Sequence, residues 1–131
     1  MPRRSLDQLG KLQKAIMDTV WRLEEATVQQ VLEGLGRKKK PAYTTILSAM
    51  QKLERLGWLR HRQEGRTYVY RATRTRQQEG QQALRKFVDQ VFQSDPLLLF
   101  QHLLEDQALR PEDLAELKRM IDRRRKELPD A

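Results

Sequence analysis

The 131-residue sequence contains no cysteine. Disulfide bonds, thiolate metal sites and thiol redox switches are therefore excluded. No apolar run approaches the roughly 20 residues that a membrane-spanning helix needs, and the basic start Met1-Pro2-Arg3-Arg4 is not followed by the apolar stretch of a signal peptide. These absences predict a cytoplasmic protein without a membrane partner.

Motifs that carry catalysis are also missing. There is no glycine-rich phosphate loop, no nucleophile elbow and no His-Glu-x-x-His pattern. The carboxylates are scattered over helix surfaces without a pair placed for acid–base work, and the two histidines, His61 and His102, fall in different segments. We expect neither enzymatic activity nor a metal ion or other cofactor, and we interpret His61 as a surface residue.

What the sequence does contain is an uneven excess of positive charge. The net charge is +8. Residues 1–76 hold 17 Lys and Arg against 7 Asp and Glu, a net charge of +10, while residues 77–131 hold 9 against 11, a net charge of −2. A basic face attracts polyphosphate through its long-range field and through counterion release. The charge alone favours a nucleic-acid partner over a basic surface that is merely solvated.

Periodic apolar residues predict two helices before the most basic part of the chain. The first starts after Gly10, a plausible N-cap, and ends near Glu24. Thr27, followed three residues later by Gln30, is a capping box that predicts a second, short helix. We interpret Trp21 as a core residue, and we expect residues 1–8 to be a frayed arm.

The segment 37–70 has the pattern of a helix-turn-helix with a wing. A basic run stops at Pro41, a helix covers about residues 42–56, and Gly57 stands where a left-handed C-cap is expected. A basic hairpin follows, with its turn at residues 63–66. The helix buries a stripe of apolar side chains and exposes short polar ones near its start, as a helix in a major groove does. An ordinary amphipathic helix with a solvated polar face has the same pattern.

The candidate DNA-binding residues lie on this helix, on the loop before it and on the hairpin. Loop lysines and hairpin arginines suit phosphate or the adjacent minor groove, and the first turns of the helix suit base edges. The predicted set is Lys39, Lys40, Tyr43, Thr44, Thr45, Ser48, Gln51, Lys52, Arg62 and Arg66.

The pattern of residues 73–131 predicts three further helices rich in leucine. Pro96 and Pro111 fit the first position of the second and third of them. A segment of about 55 residues is too short to bury so much apolar surface by itself. We therefore expect a second copy of the chain to bury it. The predicted dimerisation residues are Leu84, Phe87, Val91, Leu98, Leu103, Leu117 and Ile121. The expected fold is mainly α: a winged helix-turn-helix domain with a small β-hairpin wing over residues 1–72, followed by a helical dimerisation domain over residues 73–131.

An ordered set of short motifs resembles the penicillinase-repressor family. These motifs are Leu9-Gly10, Ile16-Met17, Trp21, Ala26-Thr27-Val28, Ala42-Tyr43-Thr44-Thr45, Leu53-Glu54-Arg55, Gly57, Arg66-Thr67-Tyr68-Val69-Tyr70 and Leu109-x-Pro111-Glu112-Asp113-Leu114-x-Glu116-Leu117. The resemblance implies a homodimeric transcriptional repressor that binds double-stranded DNA at a palindromic operator. It also implies release from DNA when a regulatory protease cuts the dimerisation segment.

Two features of the sequence depart from that family. Staphylococcal members are cut at an Asn-Phe pair, and the corresponding pair here is His102-Leu103. A copper-responsive branch carries a cysteine metal motif, which a chain without cysteine lacks. The alternative from another class of protein is a winged-helix interaction scaffold, whose leucine-rich helices bind a different protein and which has no sequence-specific DNA binding.

Overall fold

The computed structural model describes residues 5–36 and 40–129. A short 3-10 turn at Leu6–Gln8 precedes the regular elements. The helices are α1 (Lys11–Leu23), α2 (Val28–Gly34), α3 (Tyr43–Arg55), α4 (Arg76–Val91), α5 (Pro96–Glu105) and α6 (Pro111–Glu127). The strands are β1 (Glu25–Ala26), β2 (Leu59–Glu64) and β3 (Thr67–Ala72). The expected mainly α fold with a small β-hairpin is confirmed.

The first two helices begin at the caps that the sequence predicts. The Gly10 backbone N–H donates to Gln13 Oε1 at 3.1 Å. At α2 the capping box is complete, because the Gln30 N–H donates to Thr27 Oγ1 at 3.1 Å and the Thr27 N–H donates to Gln30 Oε1 at 2.8 Å. These bonds satisfy backbone donors that would otherwise lack partners in the first turn of each helix.

The hydrophobic core lies between α1, α2, α3 and the sheet. Its members are apolar side chains that recur at helical spacing, together with large residues of the hairpin. Those with no more than 1% of their surface exposed are Ile16, Met17, Val20, Ala26, Val31, Ile46, Met50, Leu53, Trp58, Leu59 and Tyr70. Trp21 packs against this core and meets Trp58 edge to face, with ring centroids 6.4 Å apart.

The three strands form one antiparallel sheet in the order β1-β3-β2. The hairpin turns through Gly65 and Arg66, and Gly65 adopts a φ of +61°, which favours glycine. Strand β1 was not expected from the sequence. A strand of two residues is too short to show alternation, and it forms because the chain leaving α1 runs beside β3, with Ala26 opposite Tyr70.

The expectation that residues 1–8 fray is wrong for residues 5–8. The Ser5 N–H donates to Gln8 Oε1 at 3.0 Å, and Leu6 packs against the core. Ser5 also accepts a 3.1 Å hydrogen bond from Lys86 Nζ. The turn is therefore held both by its own cap and by a residue far along the chain.

The chain divides into two compact units, residues 1–86 and 87–131, and the division falls within α4. In the first unit, the segment after the hairpin is tied to α1. Trp21 Nε1 donates to the Arg74 carbonyl at 2.9 Å, and Arg76 lies 3.6 Å from the Asp18 carboxylate. The predicted boundary between residues 72 and 73 remains a prediction.

In the second unit, α5 and α6 begin at strong helix-start signals. Asp95 accepts hydrogen bonds from the backbone of Leu97 and Leu98, with Pro96 in the first turn of α5. Before α6, hydrogen bonds from Arg110 lower the pKa of Asp113. Among the described residues after Lys86, Val88 is the only buried one. No helix in the described parts of the chain is long and apolar enough to cross a membrane.

Candidate nucleic-acid interface

Helix α3 presents a polar face directly opposite its buried stripe. Ile46, Met50 and Leu53 are fully buried. The opposite side of the helix is exposed along its length, and its side chains are Thr44, Ser48, Gln51 and Arg55, with Thr45 and Lys52 at the borders. The structure thus brings the predicted helix residues onto one accessible surface. Arg55 belongs to this surface too, although it was not in the predicted set.

Three further predicted residues lie at the start of α3 or in the loop before it. Lys40 is exposed and its Nζ donates to the Glu33 carbonyl at 3.2 Å, near the C-terminal end of α2. A cation at this position also interacts favourably with the helix dipole. Tyr43 opens α3 and is 47% exposed. Lys39 lies outside the described residues.

Pairing in the hairpin assigns each wing residue to one of two sheet faces. Residues directly opposite one another in an antiparallel pair share a face. Leu59, His61 and Gln63 therefore share the inner face with Ala72, Tyr70 and Tyr68. The outer face carries Arg60, Arg62 and Glu64 on β2, and Arg71, Val69 and Thr67 on β3.

Arg62 on the outer face is engaged in a network of ion pairs. Its Nη1 and Nη2 donate to the two carboxylate oxygens of Glu25 at 2.6 and 2.9 Å, and its Nε donates to Glu64 at 3.0 Å. The hydrogen bond from Arg62 lowers the pKa of Glu25, and the same contacts raise the pKa of Arg62. A phosphate contact by Arg62, as the sequence predicts, therefore requires exchange of these partners or sharing with them.

Arg66 occupies the tip of the wing. It follows Gly65 in the turn and is exposed. No ion pair joins Arg66 to an acidic side chain within residues 5–36 and 40–129. Arg60 and Arg71, which face each other on the outer surface, have no ion-pair partner in those ranges either, although the charge of Arg71 contributes to lowering the pKa of Glu25. The wing thus offers exposed cations at its tip and on its outer face.

His61 has partners that sequence analysis missed. Its Nδ1 lies 2.8 Å from each carboxylate oxygen of Glu54 on α3, and its backbone N–H donates to the same carboxylate at 3.2 Å. The ring stacks on Tyr68, with centroids 4.4 Å apart. The interpretation of His61 as a simple surface residue was incomplete, because this side chain connects the wing with α3. The two residues are seven positions apart in the sequence, and only the fold shows that the turn after Gly57 returns the chain to α3.

A buried three-helix core, an exposed polar helix and a basic hairpin beside it define a winged helix-turn-helix protein. The chain belongs to the penicillinase repressor family, a family of transcriptional repressors, which it matches over residues 9–123. The predicted family is thereby confirmed.

Two kinds of individual protein are similar to this chain, a curated relative and a solved structure. The chain is 36% identical over 66 residues to the transcriptional regulator BlaI of Mycobacterium tuberculosis, in strains CDC 1551 and H37Rv. The match covers 50% of this chain and 48% of each relative, so the chain spans about half the length of the curated relatives it matches. A crystal structure of transcriptional regulator PA4135 aligns with 94% of this chain and 82% of its own, at a TM-score of 0.47 and 17% identity.

Proposed function

We propose that the protein is a homodimeric repressor that binds a palindromic operator in double-stranded DNA through α3 and the wing. The observation that carries the proposal is the exposed face of α3, where short hydrogen-bonding side chains at Thr44 and Ser48 precede Gln51 and the cation Arg55. This arrangement suits a helix whose first turns contact base edges and whose later side chains contact phosphate.

The wing supplies the second part of the proposed interface. Arg66 at the tip is exposed, and Arg62 lies three residues before the turn. In this proposal both contact phosphate or the adjacent minor groove. Lys39 and Lys40, which precede α3 in the sequence, contact the phosphate backbone of the DNA. The net charge of +10 over residues 1–76 supports association with a polyanion.

The proposed homodimer rests on apolar surface in the C-terminal helices. Side chains exposed by 41–58% include Leu84, Phe87, Val91, Leu103 and Ile121. Leu98 and Leu117 are half-buried. A protein rarely leaves this much apolar surface in water, and a second copy covers it with a surface of the same character. Two linked winged domains then bind two half-sites together, which raises affinity through effective concentration.

The proposed release from DNA is cleavage in the dimerisation region by a regulatory protease. The pair His102-Leu103, which occupies the position of the family's cleavage pair, lies inside α5. His102 also has a ring contact with Phe92, at 5.5 Å between centroids. A protease binds an extended segment, so cleavage at this pair requires local unwinding of α5.

Footprinting on the DNA upstream of the protein's own coding region tests the proposal directly. The expected result is a protected palindrome, with half-sites spaced by one duplex turn of about 34–36 Å or a multiple of it. Binding is also expected to weaken steeply with salt, because phosphate contacts release counterions. An absence of footprint and of salt-dependent duplex binding, with the fold intact, would favour the interaction scaffold instead.

A further inference from the structure

Glu54 is an acidic side chain on the helix proposed to contact DNA. It is the penultimate residue of α3, and its side chain is 29% exposed. A carboxylate near a phosphate backbone weakens binding through charge repulsion, so its presence there calls for another role. Its carboxylate bonds to the backbone N–H and to the ring Nδ1 of His61 on β2.

The contact between His61 and Glu54 restrains the wing in two ways. The backbone N–H of His61 and the ring Nδ1 both bond to the same carboxylate, so the strand itself is attached to α3. Contact with a carboxylate also requires Nδ1 to carry the proton. The ring is fixed from its other side by stacking on Tyr68, and it lies 5.4 Å from Tyr70. The side chain therefore has little freedom to leave Glu54 while the hairpin stays folded.

We infer that His61 and Glu54 position the wing against the recognition helix α3. His61 lies on β2 four residues before Gly65, so a bond at this point sets the direction in which the tip extends. Arg66 reaches DNA only if the tip has the correct direction while α3 occupies the groove. His61 and Glu54 are thus positioning residues that need not touch DNA. This inference rests on the proposed DNA-binding function.

Removing the charge of Glu54 distinguishes positioning from simple repulsion, because the two roles predict opposite changes in the affinity for DNA. If Glu54 were only a negative charge near DNA, Glu54→Ala would strengthen binding. If it positions the wing, the same variant lowers the fraction of molecules whose wing is oriented for DNA binding, and the affinity falls in proportion. A fraction of about one-third to one-tenth corresponds to about three- to tenfold weaker binding. Alanine is the best helix former, so α3 remains intact. Glu64→Ala is the matched control, because it removes one wing carboxylate that pairs with Arg62 on its own strand and forms no hydrogen bond or ion pair with α3 among the described residues.

The experiment measures affinity for random-sequence duplex DNA at low salt, using the full chain. His61→Phe keeps an aromatic ring against Tyr68 but loses the bond to Glu54, and it is expected to weaken binding as Glu54→Ala does. Arg66→Ala and His61→Phe together form a double-mutant cycle. Arg66→Ala is expected to reduce the affinity less in the His61→Phe background than in the wild type, because the wing is then already displaced. Glu64→Ala is expected not to weaken binding.

Hydrogen exchange at the His61 amide gives a readout that does not depend on DNA. Exchange is expected to accelerate in Glu54→Ala and to stay unchanged in Glu64→Ala. The inference is overturned if Arg66→Ala weakens duplex binding while Glu54→Ala and His61→Phe bind as tightly as the wild type. A wild-type protein that binds no duplex would instead overturn the proposed function, and amide exchange would still show whether Glu54 holds the wing.

Discussion

Arg62 on β2 reaches across β3 to Glu25 on β1, and the guanidinium meets both carboxylate oxygens, at 2.6 and 2.9 Å. The two residues are 37 positions apart in the sequence. This pair connects the two edge strands over the outer face of the sheet. It also places a predicted phosphate-binding cation beside a carboxylate, so the two roles of Arg62 can be separated by changing Glu25.

We expect Arg62→Ala to weaken binding to all duplex sequences about equally. The slope of log binding constant against log salt concentration is expected to flatten by about one unit, because one phosphate contact is lost. Glu25→Gln is expected to strengthen binding, since it frees Arg62 and removes a negative charge. Fluorescence anisotropy at several salt concentrations measures both effects. If Glu25→Gln weakens binding instead, the pair serves to brace the sheet and Arg62 is not available to phosphate.

The same pair predicts a dependence of stability on pH. Because the pKa of Glu25 is lowered in the folded protein, the contact stabilises the fold above the ordinary pKa, 4.5, and this stabilisation is lost as pH falls through the lower folded-state pKa. We expect the melting temperatures of the wild type and Glu25→Gln to differ at neutral pH and to converge as the pH falls below the lowered pKa of Glu25. A difference that persists unchanged in acid would exclude ionisation of Glu25 as its cause.

The exposed face of α3 gives a prediction about sequence specificity. Thr44→Ala and Gln51→Ala are each expected to reduce the preference for the operator over random-sequence DNA by about 1–3 kcal/mol per lost base contact. The measurement is competition binding between the two duplexes. Gln77→Ala is a matched control, because Gln77 is an exposed glutamine on α4. An unchanged preference in both α3 variants, with intact thermal unfolding, would show that this face does not contact base edges.

The helices could be predicted from the sequence, whereas the side-chain contacts of the wing with β1 and α3 could not. Local signals mark the helix starts, and Thr27, Pro96 and Pro111 stand at the positions predicted for them. The polar face of α3 follows from helical periodicity alone. By contrast, the pairs of Arg62 with Glu25 and of His61 with Glu54 depend on how separate elements meet. Long-range register of this kind leaves no short-range pattern for sequence analysis to detect.

The apolar surface of the C-terminal helices gives a prediction about assembly. Val91 and Ile121 are 56% and 58% exposed. We expect the double variant Val91→Gln/Ile121→Gln to shift the proposed homodimer towards monomer in sedimentation velocity, because its apolar contact area is reduced. Lys118→Gln, an exposed substitution on the same helix α6, is the control. A wild-type chain that sediments as a monomer at micromolar concentration would contradict the proposed homodimer itself.

Truncation separates the role of the C-terminal helices in assembly from their role in the fold. Residues 73–86 contact the winged domain: Thr73 Oγ1 donates to the Gly57 carbonyl at 2.6 Å, and Lys86 Nζ donates to Ser5. A chain ending at Ala72 loses these bonds, together with that between Trp21 and Arg74. We therefore expect the fragment 1–72 to melt at a lower temperature than the fragment 1–86.

Both fragments lack the part of the proposed dimer surface that follows Lys86, so both are expected to bind the operator more weakly than the full chain, by a factor on the order of 10²–10⁴. The fragment 1–86 makes this loss interpretable, because its winged fold keeps the contacts of residues 73–86. Its binding to random-sequence DNA is expected to change less, since one domain suffices for phosphate contacts. If 1–86 binds the operator as tightly as the full chain, a single winged domain accounts for the affinity, and cleavage of the C-terminal region could not release DNA by separating two copies.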